Sequence, residues 1–243
     1  MFTRPEPLDK SKHQDLRLSK VNNFNFAKQI SSVHLSFSEM QQASQYYPII
    51  FASDGTCIPT ALLSLEKGKN NYIDDQGIWK VPYLPFYFRM YPFALVKIDN
   101  KEEIEKDTKE ETKEDKFVLC LDPDAEHFAT GQGEPLFTAD GEPNEFIQGI
   151  LKALKVYQEE LAKTKILFTL LAGDNLIVDR KIEFQVNGQP KSIDGFKGVD
   201  MEKLLAMDDK IIAALVKNGT MPLIYSHLQS LSKIGALASG SLG

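Results

Sequence analysis

Cysteine is scarce in this 243-residue chain, which holds only Cys57 and Cys120. Each sits in an apolar run, Cys57 beside Ile58 and Cys120 between Leu119 and Leu121. A domain of this size needs no staple, so both are expected to be small buried hydrophobes rather than a disulfide. Basic clusters are missing too: the formal net charge is −6, and no Lys/Arg stripe could neutralise successive phosphates, which argues against nucleic acid as a partner. No run approaches the ~18 apolar residues of a membrane-crossing helix. No apolar segment follows the lone arginine near the start, so cytoplasmic residence is expected, with export by another route left open. A nucleophile elbow, a P-loop, a dinucleotide glycine fingerprint and paired zinc ligands are all absent. Those absences weigh against an enzyme, although two carboxylates brought together by folding leave no motif.

The remainder is ordinary globular material. Hydrophobic residues make up 42% and charged ones 26%, enough for one core, and a single domain over residues 1–243 is expected. Residues 1 to about 20 read as a polar arm docked on that domain. Val33, Leu35 and Phe37 alternate, and Ser38 stands as a helix cap before Glu39–Ala43, with Pro48 as the stop. From Tyr47 short apolar runs are broken by Asp54-Gly55, Gly68-Lys69-Asn70 and Asp74–Gly77, the pattern of an antiparallel meander. Phe93–Ile98 and Phe117–Leu121 read as two more strands. Between them, Asp99–Lys116 has fourteen charged residues in eighteen, too few apolar groups to offset its ordering entropy, and is expected to be a disordered surface loop or a charged interaction arm.

Helical spacing begins at Asn144. Ile147, Ile150, Leu151, Leu154, Tyr157, Leu161, Thr164, Phe168 and Leu171 recur at three- and four-residue steps up to Gly173, so one long helix is predicted. Ile182, Phe184 and Val186 then alternate inward, Asn187-Gly188 turns the chain, and a shorter partner strand completes a second hairpin. Helices follow near 200–206, over 209–217 and over 221–234, the last with Pro222 in its first turn. The final Gly235–Gly243 is expected to fray. The predicted fold class is α+β: an antiparallel sheet packed by one long helix, a second hairpin and a C-terminal helical cluster.

Two stretches carry a known pattern: Tyr47–Phe51, Pro59–Leu63, Gly77-Ile78-Trp79, Tyr83-Leu84-Pro85 and Arg89–Phe93, then Gly133–Phe137 with Asp140–Pro143. With Phe24–Ala27 and Ile224–Leu228 they resemble the SapC family over nearly the whole chain. A peptide-uptake permease shares that name, but this chain has no segment able to satisfy its backbone in lipid. The resemblance implies a link to a bacterial surface layer and to outer-membrane receptor and halogenase-like gene neighbours. It supplies no catalytic residues, and the charged loop is longer than the family leads one to expect.

Several constellations bear on function. Trp79, Tyr83, Phe86, Tyr87, Phe88, Tyr91 and Phe93 cluster among Pro82, Pro85 and Pro92, and stiff rings on pre-set backbone line either a groove or a core. Trp79, Tyr83, Tyr87, Arg89 and Tyr91 are the candidate ligand-binding residues. Glu134, Asp140, Glu142 and Asn144 surround turns; Asp140 and Glu142 are weak candidates for a metal, at a spacing unlike an EF-hand, and the plainer reading is a capped turn into the long helix. His13-Gln14-Asp15 has the spacing of an iron facial triad completed by His127 or His227, against a solvent-exposed His13. His227 lies among Leu223, Ile224, Leu228 and Leu231 as a satisfied core histidine or a base. Glu134, Asp140 and His227 are thus the weak catalytic candidates. No cofactor is assigned. The favoured reading is a non-catalytic binding or accessory protein for a peptide, a saccharide or an envelope protein; an acidic/His enzyme in an aromatic cleft is the alternative, and a purely structural subunit the third.

Overall fold

The structure is a computed structural model that describes residues 1–53, 56–97, 117–129, 131–173, 175–186 and 188–241. The charged loop at 99–116, the Asp54-Gly55 turn and Asn187 lie outside the described residues. Strands are β1 Glu6–Pro7, β2 Arg17–Leu18, β3 Ser32–His34, β4 Ile49–Ala52, β5 Pro59–Leu62, β6 Phe93–Lys97, β7 Phe117–Leu121, β8 Glu134–Pro135, β9 Ile177–Val186 and β10 Gln189–Val199. Helices are α1 Lys10–His13, α2 Phe37–Ala43, α3 Phe86–Arg89, α4 Glu145–Gly173, α5 Met201–Leu205, α6 Asp209–Lys217, α7 Thr220–Ser230 and α8 Ile234–Ser239. The fold class is α+β, as the sequence predicts. Two compact units form: one holds Asn22–Arg89 and Tyr157–Gly243, the other Phe2–Val21 and Met90–Val156.

In the first unit a five-stranded antiparallel sheet runs in the order β3-β5-β4-β10-β9. β4 and β5 pair antiparallel as the predicted meander has them, but the meander does not continue along the sheet: its later runs make only the isolated bridge Ile73–Trp79, and β3 takes the other side of β5. Nor does the second hairpin stand apart: β10 joins β4 through Phe196↔Ala52 and Lys197↔Phe51. β10 is also longer than β9, eleven residues against ten, rather than shorter. A register shift between Ile193 and Phe196 gives the reason, for it spends one extra residue around Gly195, whose φ of +78° suits only glycine comfortably.

The long helix is as predicted, 29 residues beginning after Asn144, whose Oδ1 accepts the Ile147 N–H at 2.9 Å. Its Phe168 ring packs 4.8 Å from Phe51 on β4, and Leu171 is 3% exposed. α2 begins two residues earlier than predicted. Ser36, not Ser38, is its cap, and Glu39 reaches back to the Ser36 N–H at 3.1 Å. The C-terminal segment does not fray through residue 239: α8 buries Ile234 and Leu237 completely, so docking outweighs its glycine-rich composition.

The β4–β10 pairing ends where a side chain replaces it. The register that joins Phe196 to Ala52 and Lys197 to Phe51 would next bring Val199 to Ile49. Instead the His227 ring of α7 stands between them: the Val199 N–H donates to Nε2 at 3.0 Å, and Nδ1–H donates to the Ile49 carbonyl at 2.8 Å. Ser230, one turn on, accepts the Ile49 N–H at 2.9 Å. One helix thus supplies the missing rung of the ladder. Gly198 leaves room for it, since a Cβ there would meet His227 Nε2 and Arg180 Cγ at 3.1 Å.

The second unit has a three-stranded antiparallel sheet, β1-β7-β6, and the small pair β2-β8. The N-terminal arm is docked here. Asp122, fully buried, accepts the Thr3 N–H at 2.5 Å and the Arg4 N–H at 3.3 Å. His13 is 2% exposed rather than solvent-facing; its Nε2 meets Glu6 Oε1 at 3.0 Å and its Nδ1 accepts the Asp9 N–H at 3.0 Å. Cys57 and Cys120 are both buried free thiols.

Because Nε2 accepts and Nδ1 donates, only the neutral His227 ring fits its place. Burial pushes its pKa down to about 4; the bond to the Ile49 carbonyl opposes this and the Arg180 charge adds to it. An unfolded histidine titrates near ~6.5, so between those values the unfolded chain binds more protons and stability rises with pH. The contribution is complete above pH ~6.5 and fades as pH falls toward 4, roughly 3 kcal/mol in all. Urea midpoints at pH 7 and pH 4.5 should therefore diverge more for the natural chain than for His227→Asn. His227→Ala, which orphans a buried N–H and a buried carbonyl, is expected to cost about 4 kcal/mol by the same measurement at pH 7.

Candidate functional site

The aromatic cluster divides into a sealed layer and an outer one, both in the first unit. Glu39, only 6% exposed, organises the sealed layer. Its Oε1 accepts the Tyr83 hydroxyl and the Phe86 N–H, each at 2.8 Å, and its Oε2 accepts the Ser36 N–H at 3.1 Å and the Ser36 hydroxyl at 3.3 Å. Four donors on two oxygens suit a buried carboxylate, which is otherwise costly to desolvate. Tyr47 donates to the Tyr83 carbonyl and accepts the Trp79 indole N–H at 2.9 Å. Trp79 also lies 6.4 Å from Tyr72, near-parallel, and 5.2 Å from Phe88. Burial raises the pKa values of Tyr47 and Tyr72, and of Tyr83, where the Glu39 charge adds to it. Tyr157 of α4 closes this layer, stacked 4.6 Å from Phe86 and donating to the His34 carbonyl at 3.1 Å.

The outer layer is α3. Tyr87 is 40% exposed, and the exposed Arg89 holds its guanidinium 5.2 Å from the Phe86 ring and 6.0 Å from the Tyr83 ring. A guanidinium over aromatic faces is pre-positioned to meet a carboxylate or a carbonyl.

Of the candidate ligand residues, Trp79, Tyr83, Tyr87 and Arg89 come together in this layered cluster, with Tyr83 inside it and Tyr87 and Arg89 outside. Tyr91 belongs to the second unit, 8% exposed, its ring 5.2 Å from Phe2 and 5.3 Å from His127; burial raises its pKa to about 12, aided by Asp122. Glu134 is exposed on β8, opposite Leu18. Asp140 and Glu142 are exposed in the turn before α4, where their carbonyls accept Lys10 Nζ at 3.4 Å and the Thr138 N–H at 2.8 Å. Among the described residues no three His, Cys, Asp or Glu side chains gather as metal ligands. His227 has both ring nitrogens engaged by backbone. A shallow cavity of about 70 Å³ beside Tyr46, Tyr72, Val81 and Lys233 is small against the ~300–1,000 Å³ of pockets that hold small molecules.

Sequence reasoning treated Glu39 merely as a helix former and did not single out Tyr47 as a site residue. The readable signal for Glu39 was its place three residues after Ser36, the capping-box spacing.

Fold and cluster define an α+β protein with a sealed tyrosine–carboxylate layer beneath a small aromatic and cationic face. The family model for SapC matches residues 8–237, and the chain belongs to that family. Neither the comparison with curated proteins nor that with solved structures returns a match. Among the described residues no helix is long and apolar enough to cross a membrane.

Glu39→Ala should lower stability by about 3 kcal/mol in urea unfolding, because it strands the Tyr83 hydroxyl and two backbone N–H groups. Tyr83→Phe, losing one donor and leaving the other three, should cost about 1–2 kcal/mol.

Proposed function

We propose that this SapC-family chain is a non-catalytic binding or accessory protein that offers the α3 face, Tyr87 and Arg89 backed by Tyr83 and Trp79, to an envelope or surface-layer partner. The observation that carries the reading is the contrast within one cluster. Its acid–base pair, Tyr83 and Glu39, is sealed from solvent, whereas an aromatic ring and a braced guanidinium are left facing water. Aromatic and arginine side chains in that arrangement dominate recognition surfaces. The link to the envelope rests on the family resemblance, and the partner class is a polypeptide or saccharide with exposed acceptor oxygens. His227, held by two backbone bonds, lends no support to a catalytic role. The family match across residues 8–237 supports treating both units as one working domain.

The test is affinity capture from native lysate with the natural chain and with the Tyr87→Ala/Arg89→Ala double variant. Both side chains are exposed, so the variant should keep its melting temperature while the proteins or glycans enriched by the natural chain fall to background. Identical capture by a folded double variant would refute the α3 face.

A further inference from the structure

β9 ends the five-stranded sheet, and no described strand pairs along its outer side. Residues 177–180 pair with the part of β10 that reaches β4. Beyond the register shift, residues 182–186 pair only with 189–193 of β10, and that part of β10 has no second strand neighbour. α8 packs against β9, but no described strand pairs there; a two-stranded ribbon alone is marginal in water, and an unpaired strand edge is a template for another strand. Arg180, Ile182 and Phe184 share one face of this ribbon, and Asp179, Lys181, Glu183 and Gln185 the other. Ile182, Phe184 and their neighbour Ile193 are half-buried. Lys181 and Glu183 meet at 3.1 Å with side chains 56% and 77% exposed.

The order of charges selects an occupant. A two-fold axis between antiparallel edges sets one residue opposite itself and pairs the residues equidistant from it. Centred on Lys181 or Glu183, such pairing opposes like charges. Centred on Phe184, it matches Glu183 with Gln185 and forms no ion pair across the strands. Centred on Ile182, it sets Lys181 of each copy against Glu183 of the other, Ile182 against Ile182, and Arg180 against Phe184. The same alternating charges discourage an arbitrary strand. We infer that β9 is a homodimerisation edge, which takes a second copy of this chain in antiparallel register about Ile182 and joins the two five-stranded sheets into one.

The test uses the full chain in light scattering coupled to size exclusion across the micromolar range. A dimer is expected. Lys181→Glu and Glu183→Lys, each placing like charges opposite one another twice, should weaken it about tenfold, and the double exchange should restore it. Ile182→Cys should give a disulfide-linked dimer on mild oxidation, since the natural thiols are buried. A monomer throughout that range, a dimer indifferent to the single reversals, or a double exchange as weak as the singles would each overturn the assignment.

Discussion

One imidazole holds the larger unit's sheet together at its seam. β4 and β10 lie about 140 positions apart in the chain and pair directly through two residue positions, after which His227 and Ser230 take over the groups of Ile49 and Val199 that the next rung would have satisfied. A buried backbone group left without a partner costs about as much as a typical hydrogen bond is worth, and often more. The seam is therefore stable only with α7 in place, and α7 is in place only if the strands present those groups to it. Sheet and C-terminal helices stabilise each other through that reciprocity, and Gly198 is the concession in side-chain volume that permits it.

Glu39 imposes a comparable constraint on the aromatic cluster. Its four donors come from the α2 cap, from Tyr83 and from the start of α3, so a single carboxylate sets where three segments meet. Of the inner rings it engages the Tyr83 hydroxyl, while the Tyr47 and Tyr72 hydroxyls donate to backbone carbonyls and the Trp79 indole N–H to Tyr47. Tyr87 and Arg89 are the exposed residues of the cluster. The division between scaffold and surface in this cluster is a matter of hydrogen-bond supply, and ring content alone does not reveal it.

Much of the local structure was legible because its signals are local. α4 announces itself by apolar spacing and by Asn144, and the β9–β10 hairpin by alternation and Asn187-Gly188. The order of strands was legible only in part: Asp54-Gly55 marks β4 and β5 as neighbours, but nothing in Pro59–Leu62 says that β3 takes the other side of β5. Ser36 and Ser38 are equally good caps by type, and the choice between them fell to Glu39, a tertiary hub. α8 was missed because Gly235, Ser239 and the Gly240 that follows argue against a helix, while Ile234 and Leu237 find buried places only in the folded unit. His13 was misplaced for the same reason, its polar neighbours concealing a site closed by Glu6 and the Asp9 N–H. Of the candidate site, the residues of the cluster could be named from sequence, but not which of them face water.

The side-chain rung has a consequence for the order in which the polypeptide matures on the ribosome. Strands β4 and β5 emerge early, and β10 follows well over a hundred residues later, yet the seam lacks its last two partners until the codons for His227 and Ser230 have been read. Domains fold as translation proceeds, at about 5–20 residues per second. For this chain α7 closes the seam of a sheet whose strands all precede it in the chain. Until α7 has been made, the Ile49 and Val199 backbone groups that it serves lack those partners.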